Sequence, residues 1–210
     1  MKKTALLLLV LTMLACKNEK KEESTESISE PVIIYDTIKT FTDQEIKAWT
    51  KTRVELERIS DESAVNSFSL KRLSSTESCY LATGPFAVNY AYVYKVSVNV
   101  KKGANSNFFG LRLVGSYPDR VDAFFNLDKG ELIETKTTRD FENAKADIKD
   151  LGNGWYTCSV EAEVAADNVR VILGPSSGSK NAIGWEGKTD KMDDVIIDPS
   201  SLTIFIQKEQ

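Results

Sequence analysis

The chemistry open to this 210-residue chain is bounded first by an absence: it contains no histidine. That excludes Ser-His-Asp and Cys-His nucleophiles, a histidine general base and His-ligated zinc. Carboxylate, thiol, arginine and aromatic chemistry are left. Among 31 acidic residues, Glu161 and Glu163 stand two apart, a spacing that puts both on one face of a strand. Glycoside hydrolysis uses two carboxylates across a cleft, although exposed strands also carry such pairs without chemistry. A lyase lacking His would have to work through Tyr or Lys. Asp190, Asp193, Asp194 and Asp198 cluster before the last apolar run. They offer oxygens to a structural calcium, with Asp194 and Asp198 as candidate ligands. They lack the regular spacing of a calcium loop, so a solvated acidic turn competes with that reading. Cys79 and Cys158 can form a disulfide if their strands are neighbours. Two buried free thiols are the alternative.

The elements that must position these residues follow a period of two. Tyr92, Tyr94, Val96, Val98 and Val100 alternate with Lys95, Ser97, Asn99 and Lys101, the pattern of a half-buried antiparallel strand. Val121, Ala123, Phe125 and Leu127 alternate with Arg120, Asp122, Phe124 and Asn126. Tyr156, Cys158, Val160 and Ala162 form a third such face, Val169, Val171 and Leu173 a fourth, and Leu202, Ile204 and Ile206 close the chain. Weaker runs lie at 53–59, 66–73, 79–83 and 108–114. Between the runs stand turn signals, Lys102-Gly103, Asp128-Lys129-Gly130, Gly152-Asn153-Gly154 and Asp198-Pro199 among them. Thr42-Asp43-Gln44-Glu45 spells a capping box, which predicts a short helix over Asp43–Ala48. Nine or more short strands with almost no helix predict an all-β, antiparallel two-sheet β-sandwich of the jelly-roll kind, with a closed barrel as the alternative.

The composition is globular, with 41% hydrophobic and 28% charged residues. A net charge of -4 argues against nucleic acid as a partner. The first 15 residues read as a secretory signal, with Lys2 and Lys3 ahead of the apolar run Ala5–Leu11. Leu14-Ala15-Cys16 resembles a bacterial lipobox, which implies cleavage before Cys16 and its lipidation. Met13 stands where the lipobox usually has Leu. Residues 16–30 are the lipidated Cys and a tether with three Lys against five Glu and one aliphatic side chain, Ile28. Such a segment cannot offset the entropy of ordering. A charged tether after the Cys resembles export signals of surface lipoproteins in the Bacteroidetes; a plain spacer is the other reading. The expected address is the bacterial cell envelope, lipid-anchored at the outer membrane. The expected domain plan is one sandwich over 31–210.

The segment Gly152-Asn153-Gly154-Trp155-Tyr156-Thr157-Cys158-Ser159-Val160 resembles the NGWYRCSV signature of jelly-roll modules similar to carbohydrate-binding modules, found in phage tail and bacterial surface proteins. Other stretches match in order. Tyr94–Gly103 is similar to the family's FSVYVKAG strand, Phe125–Gly130 to its FDLSTG turn, and Ala146–Leu151 to the ATIEDV that leads into the signature. The likeness spans roughly Trp49 to Gln210. Thr157 departs from it, standing where the signature has Arg, and the Gly184-Trp185-Glu186-Gly187 loop has no counterpart in the pattern. The resemblance implies a jelly roll that binds a glycan or polysaccharide without catalysis, and no particular sugar. A protein-binding envelope subunit and a glycan-degrading enzyme are the competing functions.

Sugar binding needs aromatic faces for the apolar sides of rings and planar polar groups for hydroxyls. Outward-facing residues that break the polar rule are therefore the candidates. These are Trp185, Phe124, Arg120, Arg112, Arg170 and Asn126, with Phe108 and Phe205 also outward. Each has a packing alternative. Phe124 can lie under a loop, Trp185 can plug one end of the sandwich, and the arginines can pair with carboxylates. Trp155 and Trp49 read as packing residues.

Overall fold

The computed structural model describes residues 33–60 and 66–208. The expected signal peptide at 1–15, the expected lipidation at Cys16 and the expected tether at 16–30 lie outside the described residues. The chain runs β1 (Tyr35–Thr40), α1 (Asp43–Ala48), β2 (Thr50–Thr52), β3 (Val54–Arg58), β4 (Phe68–Arg72), β5 (Tyr80–Ala82) and β6 (Phe86–Ala87). It continues through β7 (Tyr92–Lys102), β8 (Phe108–Val114), β9 (Arg120–Asn126), β10 (Glu131–Thr138), β11 (Glu142–Gly152), β12 (Trp155–Val164), β13 (Asn168–Ser176) and β14 (Asp194–Gln207).

Two antiparallel sheets of seven strands face each other. The first has the order β11-β12-β7-β14-β4-β3, with β1 also pairing β14; the second has β10-β9-β8-β13-β5-β2, with β6 pairing β13. The alternation read from the sequence sets the register. Val96, Val98 and Val100 of β7 and Cys158, Val160 and Ala162 of β12 point inward and are buried. They meet Leu111, Val121, Phe125, Val171 and Leu173 from the second sheet in one core. Full burial of each such side chain favours folding by about 1.5–3 kcal/mol.

Local signals act as their chemistry dictates. At α1 the Thr42 hydroxyl accepts from the Glu45 amide, and the Glu45 carboxylate accepts from the Thr42 amide at 2.8 Å. The β11–β12 hairpin turns through Gly152, Asn153 and Gly154 with φ of 84°, 54° and 77°. Two glycines and an asparagine are the residues that tolerate that region.

One feature departs from a simple sandwich. β8 and β9 are buried on both faces. The segment between β13 and β14 covers the outer face of the second sheet and creates a second apolar cluster there. Phe124, Ile172, Val114, Ala82, Ala182 and Trp185 form it.

Candidate functional site

The residues that the sequence singles out for ligand contact mostly converge, but in a sealed place. Trp185 and Phe124 are fully buried, and Arg112 and Arg120 are 4% and 7% exposed. Trp185 does not plug an end of the sandwich; it lies flat against the second sheet. Its seat is made by Gly110 and Gly174, which pair across β8 and β13. A Cβ on Gly110 would stand 2.0 Å from the indole Cδ2. The indole Nε1 donates to Asp122 Oδ1 at 3.0 Å. Arg112 Nε donates to the same oxygen at 2.5 Å, and its two terminal nitrogens reach Glu186 at 3.0 and 2.9 Å. Arg120 Nε lies 2.9 Å from Asp122 Oδ2, an ion pair whose angle does not make it a hydrogen bond. Both arginines also donate to the Ile183 carbonyl. Phe108 stacks on Phe124 beneath this layer, with ring centroids 5.7 Å apart. Burial lifts the Asp122 carboxyl to about 6, against the opposing pull of Arg112 and Arg120.

This corrects the expectation for Trp185, Phe124, Arg112 and Arg120. They staple a loop to a sheet and offer nothing to a ligand. The signal that could have revealed it was glycine. Gly110 and Gly174 interrupt two strand patterns, and a strand-interior glycine marks a close approach by another group.

The other candidates are dispersed. Arg170 is exposed on the outer face of the second sheet. The Asn126 side chain accepts from the amides of Asp128 and Lys129, building the turn after β9. Asp194 accepts from the amides of Ala104 and Asn105 through both oxygens, and Asp198 from the Ser200 amide and hydroxyl. Asp193 is fully buried, its oxygens lack hydrogen-bond partners, and burial pushes its carboxyl above the ordinary range. Among the described residues no three acidic, Cys or His side chains converge on one point. Asp194 and Asp198 thus spend side-chain oxygens on the amides of their own turns. The disulfide is also corrected: Cys79 and Cys158 are free and buried. Cys79 leads into β5 of the second sheet, Cys158 lies in β12 of the first, and those strands are not neighbours.

The open face belongs to the first sheet, where outward side chains of β11, β12, β7, β14 and β1 form rows. Ser97 and Ser159 sit side by side, with Asp147 and Thr203 at their flanks. One row away are Lys145, Glu161, Lys95 and Phe205 in register. One row the other way are Lys149, Thr157 and Asn99. Short residues in the middle row and long ones beside it leave a groove of about 220 Å³ lined by Tyr35, Phe205, Lys95, Ser97, Ser159 and Asp147, with Lys149 and Thr157. Tyr35 crosses from β1, and its hydroxyl donates to Glu161 Oε2 at 2.6 Å. Burial and Glu161 push that phenol far above its usual range, so it stays a neutral donor. Lys95 Nζ stands 5.3 Å from the Tyr35 ring centre. Thr157 Oγ1 donates to Asn99 Oδ1 at 2.8 Å, so the signature position without its Arg lies in this groove. Glu161 is occupied by Tyr35 and by Lys145 at 3.7 Å, and Glu163 accepts from Asn143. Sequence reading found Phe205 as an outward residue and missed Tyr35, whose strand joins the sheet only through long-range pairing with β14.

A second cleft, about 320 Å³, opens beside α1 between the sheet edges, with Ile46, Leu56 and Phe68 as its apolar part. Its one guanidinium, Arg58, stacks on Phe68 at 5.6 Å and donates to Asn66. The sheet groove combines aromatic faces with free ammonium, carboxylate and hydroxyl groups, and it can hold a hydroxylated ring.

No protein-family model and no curated protein matches the chain. Among solved structures, the chain is similar to a carbohydrate binding module (CBM6cm-2) from Cellvibrio mixtus lichenase 5A, solved in complex with cellotriose. The likeness has a TM-score of 0.40 and 10% identity, and covers 83% of this chain and 100% of that one.

Proposed function

We propose that the protein is a non-catalytic, glycan-binding lipoprotein of a bacterial cell envelope, with its binding site in the groove on the outer face of the first sheet. The observation that carries this reading is the contrast between the two outer faces. One is sealed by Trp185 and its loop. The other presents Tyr35 and Phe205 beside a floor of short hydroxyl residues. At about 220 Å³ the groove is smaller than the roughly 300–1,000 Å³ of closed small-molecule pockets. That size suits a ligand lying along a surface, such as part of a polysaccharide. Anchoring through acylated Cys16 rests on the lipobox, and more than one acyl chain is what makes such an anchor stable.

The test is a glycan and polysaccharide array probed with the full chain in non-ionic detergent, beside Tyr35→Ala and Phe205→Ala. Loss of one stacking aromatic should weaken a specific hit by roughly 2- to 12-fold, if about 0.5–1.5 kcal/mol goes with it. A hit untouched by both variants would move the site elsewhere. A blank array from folded protein would sink the reading in favour of a protein-binding envelope subunit, with the apolar cleft beside α1 as its surface. Release of reducing ends from a bound polysaccharide would make it an enzyme. Replacing Cys16 by Ser should release the protein from membranes.

A further inference from the structure

We infer that the groove on the first sheet selects an acidic glycan, one carrying uronate carboxylates on successive residues; this rests on the groove being the glycan site. The argument is a charge balance at the groove. Lys145, Glu161 and Lys95 share one row, and two of them cancel: Glu161 is ion-paired with Lys145 at 3.7 Å and also holds the Tyr35 hydroxyl. Lys95 and Lys149, both lining the groove, have no carboxylate within ion-pairing distance among the described residues. The Lys95 ammonium instead stands over the Tyr35 ring, which orients it without neutralising it. Asp147 is the one unpaired carboxylate in the lining, so the groove keeps a net positive charge on a protein whose overall charge is -4.

The two lysines are also placed for a chain and not for a single carboxylate. Lys149 on β11 is in register with Thr157 and Asn99, and Lys95 lies four residues before Asn99 on β7. Strand spacing and rise put their Cα atoms about 16 Å apart, diagonally across the serine floor. Each ammonium is a compact donor on a flexible stem, so the pair reaches two acidic groups on neighbouring units of one ligand. The aromatic faces of Tyr35 and Phe205 take the apolar side of a ring between them.

The experiment is calorimetric titration of the full chain in non-ionic detergent with oligogalacturonate, oligoalginate and oligoglucuronate, each beside its carboxyl-reduced neutral counterpart. At least one uronate oligomer should bind more tightly than its reduced counterpart by roughly 2- to 25-fold, as two exposed ion pairs would give. The preference should shrink as salt rises from 50 to 300 mM. Lys95→Met and Lys149→Met should each weaken binding of the uronate oligomer more than that of its reduced counterpart, so that the preference shrinks. Asp147→Asn should strengthen uronate binding. All three positions are partly or fully exposed, and an unchanged thermal midpoint would confirm that each variant folds. Equal binding of acidic and neutral oligomers, insensitive to both lysines, would overturn the acidic specificity and leave the glycan site standing. No binding of any oligomer to folded protein, with Tyr35→Ala equally silent, would overturn both.

Discussion

At the scale of single residues, Asp122 shows how a site-like cluster turns structural. Two arginines, an indole and a carboxylate in one place are what a ligand site would use, yet all four are engaged with each other and with the loop above them. Two forces compete at the carboxyl. Burial favours the neutral form, and Arg112 and Arg120 favour the charged one. Burial wins, so the folded value of about 6 lies above the ordinary 3.8. The native state then holds this proton more tightly than the unfolded chain does. The stability contributed by Asp122 is full below about 3.8 and is lost as pH rises through about 6. Asp122→Asn removes the titration and takes the central carboxylate from both arginines, Arg112 keeping Glu186 as its only carboxylate. The variant should be less stable than the parent at pH 4, and the gap should narrow by on the order of 1–3 kcal/mol between pH 4 and pH 7. Urea midpoints across that range would test it. A gap that widens with pH would mean that the arginines, not burial, govern the group.

At the scale of elements, what was legible in the sequence was what one-sided burial writes. β7 and β12 alternate because one face meets the core, and β9 carries the same alternation because its other face meets the loop through Arg120, Asp122 and Phe124; each was readable. α1 was readable to the residue because its cap is local chemistry. β10 was not, since as an edge strand it buries no face fully. The loop over the second sheet was invisible for a different reason: its order comes from a distant residue. Arg72 of β4 is completely buried, and its guanidinium donates to the carbonyls of Ser74, Glu77, Pro175, Glu186 and Gly187. One side chain thereby ties the segment after β4 to the segment after β13. The backbone repeats the tie, with Cys79 N donating to Glu186 O and Thr189 N to Ser75 O, each at 2.8 Å. Arg72→Met keeps the apolar stem and takes a donor from five carbonyls, two of which, Ser74 and Glu186, keep a bond from Cys79. It should cost at least about 3 kcal/mol and strip exchange protection first from the Cys79 and Thr189 amides. Protection lost evenly across both sheets, or not at all, would show that Arg72 does not hold this loop.

At the scale of the whole molecule, the two sheets meet through their packed core, and Arg72 adds a hydrogen bond from β4 to the Pro175 carbonyl of β13. β1 pairs with β14, Tyr35 opposite Gln207, so the beginning and end of the folded chain lie side by side in the sheet that carries the groove. This explains why the groove was the least legible part of the protein. Its lining comes from five strands, and no short stretch of sequence contains more than a few of its residues. The same topology decides the fate of the thiols. Cys79 and Cys158 look like a bridge in the sequence, an even pair in a chain whose first residues read as a secretory signal. Their strands instead sit in different sheets, without a shared neighbour. Burial pushes the Cys158 thiol well above its ordinary range, and Cys79 donates to the Ser74 carbonyl. Both should therefore resist a thiol reagent in the native state and react only at the rate of global unfolding, since the thiolate is the reactive form. The thermal midpoint should be the same with and without reductant. A midpoint lowered by reductant, or a mass two hydrogens short in the untreated protein, would show that the sheets are linked covalently. Rapid labelling of Cys79 alone would instead show that the Arg72-bound loop opens independently of the core.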